Sequence, residues 1–210
     1  MRPPALALAG ALLSAGASSD LVEVTVLDPT IRLDIRYATA GNFLGRPLYP
    51  SARAFLRRPV AEALVRVHRA LRARGYGLVV YDAYRPWSVT RLMWELTPPE
   101  KRGFVADPAR GSNHNRGCAV DLSLVSLASG REVVMPSDYD EMTPRAAASH
   151  AGGTAESRAH RDRLRAAMEA EGFRVERHEW WHFSHRDCRR YEMLDLPFEA
   201  VAGSSGEAPR

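Results

Sequence analysis

The sequence predicts a single α+β domain, with a small, mostly antiparallel sheet, helices packed on it and the chemistry at the sheet. Three observations carry that prediction. The chain has 210 residues, 45% hydrophobic and 26% charged, which suits one domain burying about 70% of its unfolded surface. Helical and strand periodicities are mixed along it without regular βαβ alternation, which argues against a doubly wound sheet. Its two cysteines are too few for a disulfide framework or a Cys-rich zinc finger.

The elements follow in order. Residues 1 to 17 read as an export signal: Arg2 is basic, Ala5 to Leu13 is apolar, and Ala15-Gly16-Ala17 supplies small residues for cleavage. That apolar run is shorter than the roughly 20 residues a membrane span needs. The mature chain is then expected to begin near Ser18 and to be exported, periplasmic or extracellular. Ser19 to Ile35 alternates Val22, Val24, Val26 and then Ile31, Leu33, Ile35, which predicts short strands around a turn at Asp28-Pro29. Tyr37 to Pro50 reads as loop.

Pro59 opens a helix with Val60, Leu64, Val67 and Leu71 on one face, and Gly75 closes it. Gly77 to Tyr84 predicts a strand ending at Arg85-Pro86. Ser88 is placed to cap a short helix carrying Val89, Leu92, Met93 and Leu96, stopped by Pro98-Pro99. Loop is expected over 100 to 117, a strand over Cys118 to Val125, and a flexible stretch over Ser149 to Ala155. A second amphipathic helix is expected from Ser157 to Glu171, with Leu164 and Met168 inward and Gly172 as its stop. Phe173 to Ser184 reads as strand, and residues 201 to 210, with Gly203-Ser204-Ser205-Gly206, as a loose tail. The domain is thus expected over 18 to 200.

The charge balance, 29 basic against 25 acidic residues, gives little direction. The basic residues are arginines apart from Lys101, and they fall on helical segments: Arg66, Arg69, Arg72 and Arg74, then Arg158, Arg161, Arg163 and Arg165. Solvated helix faces explain them. No basic stripe is interleaved with aromatics, so no nucleic-acid partner is expected. No membrane span is expected, and the sequence carries no signal of oligomeric state.

Among seven histidines, His68 and His160 read as surface or satisfied core. His114 stands apart. It lies in a loop seven residues before Asp121, and Asp121 sits between Val120 and Leu122 in an apolar strand. A carboxylate buried there needs a cation or several donors. Glu179-Trp180-Trp181-His182 offers a third ligand and, in Glu179, a proton acceptor. A His, Asp, His set suits zinc and leaves a fourth position for water. From spacing alone, a salt-bridged Asp121 and a core Trp–His pair remain alternatives.

Ser112-x-His114-x-x-Gly117-x-Ala119-x-Asp121, followed by Glu179-Trp180-Trp181-His182, resembles the D-alanyl-D-alanine dipeptidases, a family of zinc enzymes. The resemblance takes in Arg36-Tyr37-Ala38-Thr39 with Asn42-Phe43, and Gly75-Tyr76-Gly77-Leu78 leading to Asp82-Ala83-Tyr84-Arg85-Pro86. It also takes in Ser137-Asp138-Tyr139-Asp140 and Glu171-Gly172-Phe173, and so spans about Leu21 to Phe198. It implies one zinc per chain, held by His114, Asp121 and His182. It makes Glu179 general base and then acid, and puts Arg85 at the scissile carbonyl oxygen. In the substrate-binding set it implies, Asp82 holds Arg85, Asp140 and Tyr37 meet the ammonium of a dipeptide, and Ser112 meets its carboxylate. Two departures stand out. Cys118 replaces an expected small residue such as serine, and Ala146 to Thr154 lacks the family's His-rich turn.

The implied function is hydrolysis of D-Ala-D-Ala, in wall turnover or salvage if the chain is exported. A zinc D,D-carboxypeptidase or endopeptidase on longer wall peptides is one alternative, and a non-catalytic zinc-containing wall-peptide binding module is another. Two local expectations complete the reading. Cys118 should face away from Asp121, either bridged to Cys188 or packed as a small hydrophobe. A flat strand over Phe173 to Ser184 would put Glu179 and His182 on opposite faces, so a break is expected at Glu179 to Trp181.

Overall fold

The computed structural model describes residues 20 to 204. The expected export signal and residues 205 to 210 lie outside the described residues. In chain order the elements are β1 (Leu21–Glu23), α1 (Val24–Leu27), β2 (Arg32–Leu33), β3 (Phe55–Arg57), α2 (Arg58–Arg72), β4 (Tyr76–Asp82) and α3 (Trp87–Leu96). They continue with β5 (Ala119–Ser126), α4 (Ala155–Ala170), β6 (Phe173–Glu176), β7 (Glu179–His185) and α5 (Phe198–Ser204). β1 and β3 form a small antiparallel ribbon, and the main sheet has the order β2-β4-β5-β7-β6. Only β2 runs parallel to its neighbour. The α+β expectation holds.

The two faces of the sheet differ. Leu78, Val80, Val120, Leu122 and Leu124 join Val60, Leu64, Val67, Leu164 and Met168 in the main core. These are the inward residues of α2 and α4, which the 3.6-residue period identifies. Residues i and i+2 of a strand share a face, so Asp121 lies on the other side with Val125. There Val79, Tyr81 and Val125 pack with Tyr139 in a smaller cluster.

Several boundaries differ from the sequence expectation. Val24 to Leu27 is a helical turn, not the second half of a strand, and it leaves Val26 exposed. β1 pairs over only three residues, and Asp28 then folds the chain by accepting hydrogen bonds from the Thr30 N–H and hydroxyl. Ser88 does not cap α3. Its N–H is itself held by Asp195, at 2.8 Å. α4 starts at Ala155 because the Thr154 hydroxyl accepts the Ser157 N–H. Arg161 is buried, not solvated, with its guanidinium on the His150 carbonyl.

His68 and His160 are core histidines with partners, the Leu78 N–H and the Val134 carbonyl. α5 takes in residues expected as tail, because Phe198 anchors it against Tyr49 and Phe55 and Val201 is buried. Phe173 to Ser184 is a hairpin, turning at Arg177-His178, two residues before the expected break. Its pairing shifts register at Val175 and Glu176. Cys118 and Cys188 are bridged across a Cα separation of 5.4 Å, tying the entry of β5 to the segment after β7.

Candidate metal centre

The site is built as a row across three strands. Asp121 in β5 stands opposite Asp82 of β4 on one side and His182 of β7 on the other. Regular alternation would turn Asp82 into the apolar core with Leu78 and Val80. The register shift between Val80 and Asp82 turns it toward Asp121 instead. His114 arrives from one turn of 3-10 helix, His114–Arg116, which Gly117 ends with a left-handed φ of 68°. Asn115 staples this turn to the Arg85 segment, donating to the Arg85 carbonyl and the Thr90 hydroxyl oxygen, both at 2.8 Å.

Three candidate ligand atoms converge. His114 Nε2 lies 3.1 Å from His182 Nδ1 and 3.3 Å from Asp121 Oδ1, and His182 Nδ1 lies 3.0 Å from that oxygen. Ligands about 2.0 to 2.2 Å from a tetrahedral ion sit roughly 3.3 Å apart. The proton positions agree. His114 Nδ1 faces the Ala83 carbonyl at 2.6 Å and must donate to it, so Nε2 presents a lone pair to the shared point. Two nitrogens and an acceptor oxygen aimed at one another are a cation's donor set. Among the described residues no other group of this kind is found.

Arg85 is buried beside the row, its Nε and Nη2 on Asp82 Oδ2 at 3.1 and 2.6 Å. Asp82 is fully buried and also accepts from the Tyr49 hydroxyl and the Ala83 N–H. It therefore holds Arg85, and it is not among the residues lining the cavity over the row. A cavity of about 520 Å³ opens over the row, lined by Tyr37, Arg85, Ser112, Asp140, Glu179 and Trp181 together with His114, Asp121 and His182. Glu179 Oε2 is 3.9 Å from His182 Nδ1, its side chain a third exposed. Trp181 walls this cavity, while Trp180 is buried with its indole N–H on Ser137 Oγ. Asp140, in a left-handed conformation with φ 57°, accepts from the Tyr37 hydroxyl at 3.0 Å. Ser112 Oγ accepts the His114 N–H at 3.2 Å.

The charges follow from crowding acids in a buried space. Burial, with Asp121 and Asp140 nearby, pushes Glu179 up to about 7. Burial and the Asp121 charge likewise push Asp140 up to about 7. Burial works against the Asp121 charge too, but His114 and His182 outweigh it and hold that carboxyl below the usual range. Burial lowers the affinity of His114 for a proton, and Asp121 and Asp82 more than restore it. Sequence reasoning did not assign Tyr49, Asn115 or Tyr139, whose hydroxyl donates to Asp121 Oδ2 at 3.1 Å. Asn115, inside the His114 motif, and Tyr139, inside the Ser137-to-Asp140 motif, had a local signal, and Tyr49 had none.

Three facing ligand atoms, a free carboxylate beside them and a fixed guanidinium define a metal-dependent hydrolase site. The chain belongs to the D-Ala-D-Ala dipeptidase family of peptidases (M15), whose model matches residues 17–201. It is 33% identical over 177 residues to an Escherichia coli D-alanyl-D-alanine dipeptidase, covering 84% of this chain and 90% of that one. It is 35% identical over 192 residues to the Enterococcus faecalis D-alanyl-D-alanine dipeptidase, covering 80% and 88%. The solved LdcB LD-carboxypeptidase is similar at a TM-score of 0.45 and 19% identity, over 89% of this chain and 73% of that one. The protein is thus a hydrolase, a metallopeptidase.

Proposed function

We propose that this chain is an exported zinc dipeptidase that hydrolyses free D-alanyl-D-alanine to two D-alanines. The observation that carries the reading is the convergence of His114 Nε2, Asp121 Oδ1 and His182 Nδ1, with Glu179 and Arg85 on the same cavity. One zinc bound there supplies a Lewis acid and brings the pKa of its water down toward about 7. Glu179 takes the proton of the attacking water and hands it to the leaving amine. Arg85, held by Asp82, meets the negative charge that grows on the carbonyl oxygen. Asp140 and Tyr37 receive the substrate ammonium, and Ser112 its carboxylate.

The acidic Asp140 end favours a free dipeptide, since a longer wall peptide brings an uncharged amide to that place. Export is supported by the order of basic, apolar and small residues before Ser18 and by the Cys118–Cys188 bridge, which suits an oxidising compartment. In that location the substrate is dipeptide released in wall turnover or taken from outside, not the cytoplasmic precursor pool. The test is turnover of D-Ala-D-Ala, L-Ala-L-Ala and a wall pentapeptide, with and without chelator. Cleavage of D-Ala-D-Ala alone, abolished by chelator and restored by zinc, is expected. Equal cleavage of the pentapeptide would overturn the dipeptidase reading, and indifference to chelator would overturn the metal.

A further inference from the structure

We infer that Tyr139 is a positioning residue that holds Asp121 as a one-oxygen metal ligand, an inference resting on the zinc reading above. Asp121 turns Oδ1 to the two histidine nitrogens and gives Oδ2 to the Tyr139 hydroxyl, at 3.1 Å. Among the described residues it is the one hydrogen bond that Oδ2 accepts. A buried carboxylate oxygen without a donor loses its hydration for nothing. The cheapest remedy is to swing so that both oxygens face the cation, which would crowd the position a water needs. The Tyr139 O–H removes that option.

The hydroxyl is well fixed. The Tyr139 ring packs on Tyr81 with centroids 4.7 Å apart and edge-on to Trp181 at 5.4 Å. It therefore cannot follow Asp121 if the carboxylate turns. Trp181 lies between Glu179 and His182 in sequence and walls the cavity, so the same ring stack joins the base strand to the ligand. The backbone makes the division of labour. The left-handed Asp140, φ 57°, lets adjacent side chains diverge, Tyr139 to Asp121 and Asp140 to the Tyr37 hydroxyl. Tyr139 is not among the residues lining the cavity, so it acts through Asp121 and not on substrate.

Tyr139→Phe keeps the ring stack and removes only the O–H. Zinc affinity, read by chelator competition, should weaken roughly ten- to a hundredfold, as for other groups that orient a metal ligand. The visible spectrum of the cobalt-substituted protein should change, and kcat should fall with KM nearly constant. Wild type binding one zinc, with a variant of equal affinity and identical cobalt spectrum, would overturn this inference alone. Wild type failing to bind zinc would overturn the parent reading and this one with it. Infrared carboxylate bands of the zinc-loaded wild type give a measure independent of any variant: one-oxygen ligation is expected, and two-oxygen ligation overturns the proposal.

Discussion

On the proposed mechanism, Glu179 is the side chain at which turnover and metal binding should separate. It stands beside His182 without completing the three-atom cluster, so its loss should spare the ion. Glu179→Ala is expected to retain zinc at the wild-type level and to lose at least about a hundredfold to ten-thousandfold in kcat, the usual worth of a positioned acid–base group. Metal analysis beside steady-state kinetics checks both halves, and a zinc-free variant would make Glu179 a ligand instead. The chemistry-bearing residues were legible because they are dense in sequence: His114 and Asp121 share one motif, Glu179 and His182 another. The roles of Tyr49 and Tyr139 were not legible, although Tyr139 lies inside the Ser137-to-Asp140 motif. Each owes its role to a carboxylate elsewhere in the chain, at Asp82 and Asp121, and the neighbouring sequence carries no sign of that pairing.

At the scale of elements, the site depends on irregularities where regular structure ends. The bulge at Val80 and Asp82, the turn at Arg177-His178 and the left-handed Gly117 each re-aim one functional side chain. Gly117 gives the sharpest test. Its φ of 68° is a conformation L-residues avoid, and a Cβ there would run into the Leu21 side chain. Gly117→Ala should therefore cost about 1 to 2 kcal/mol, lowering the melting temperature by about 2 to 8 °C. It should also weaken zinc binding, because His114 belongs to the same turn. A variant that melts and binds zinc like wild type would refute the argument. Helices α2 and α4 and strand β5 were legible from apolar periodicity and glycine stops. The helical turn α1 and the hairpin were not, since three or four residues of apolar alternation fit a strand, a turn or a helix equally well.

Across the whole molecule, strand order was the part least open to reading. β5 lies between β4 and β7, and the short parallel β2 is added at an edge; nothing local encodes either pairing. That order gathers acids in a chain whose formal net charge is +4. Asp82, Asp121, Asp140 and Glu179 crowd one region, and Arg85 is the cation held among them. The consequence is a pH dependence of the metal-free protein. Glu179 and Asp140 are raised from 4.5 and 3.8 to about 7. The folded state therefore binds their protons more tightly than the unfolded chain does. Their contribution to stability is fully present below about 4 and is lost as pH rises through about 7. The raised His114 acts in the same direction, favouring the fold less as it loses its proton. The lowered Asp121 acts oppositely, but only below the usual carboxylate range. Between pH 5 and pH 8 the groups of the site should thus favour the metal-free fold less as pH rises, opposed by His68 and His185 elsewhere, whose proton affinity burial lowers. A zinc ion held there would supply the missing positive charge, and its ligands would no longer compete with protons at the alkaline end. The rise in melting temperature on adding zinc should accordingly be larger at pH 8 than at pH 5. Thermal melts of chelated and zinc-loaded protein across that range test it, and a zinc-induced shift that is constant or larger at pH 5 would show that the acidic cluster is balanced without the ion.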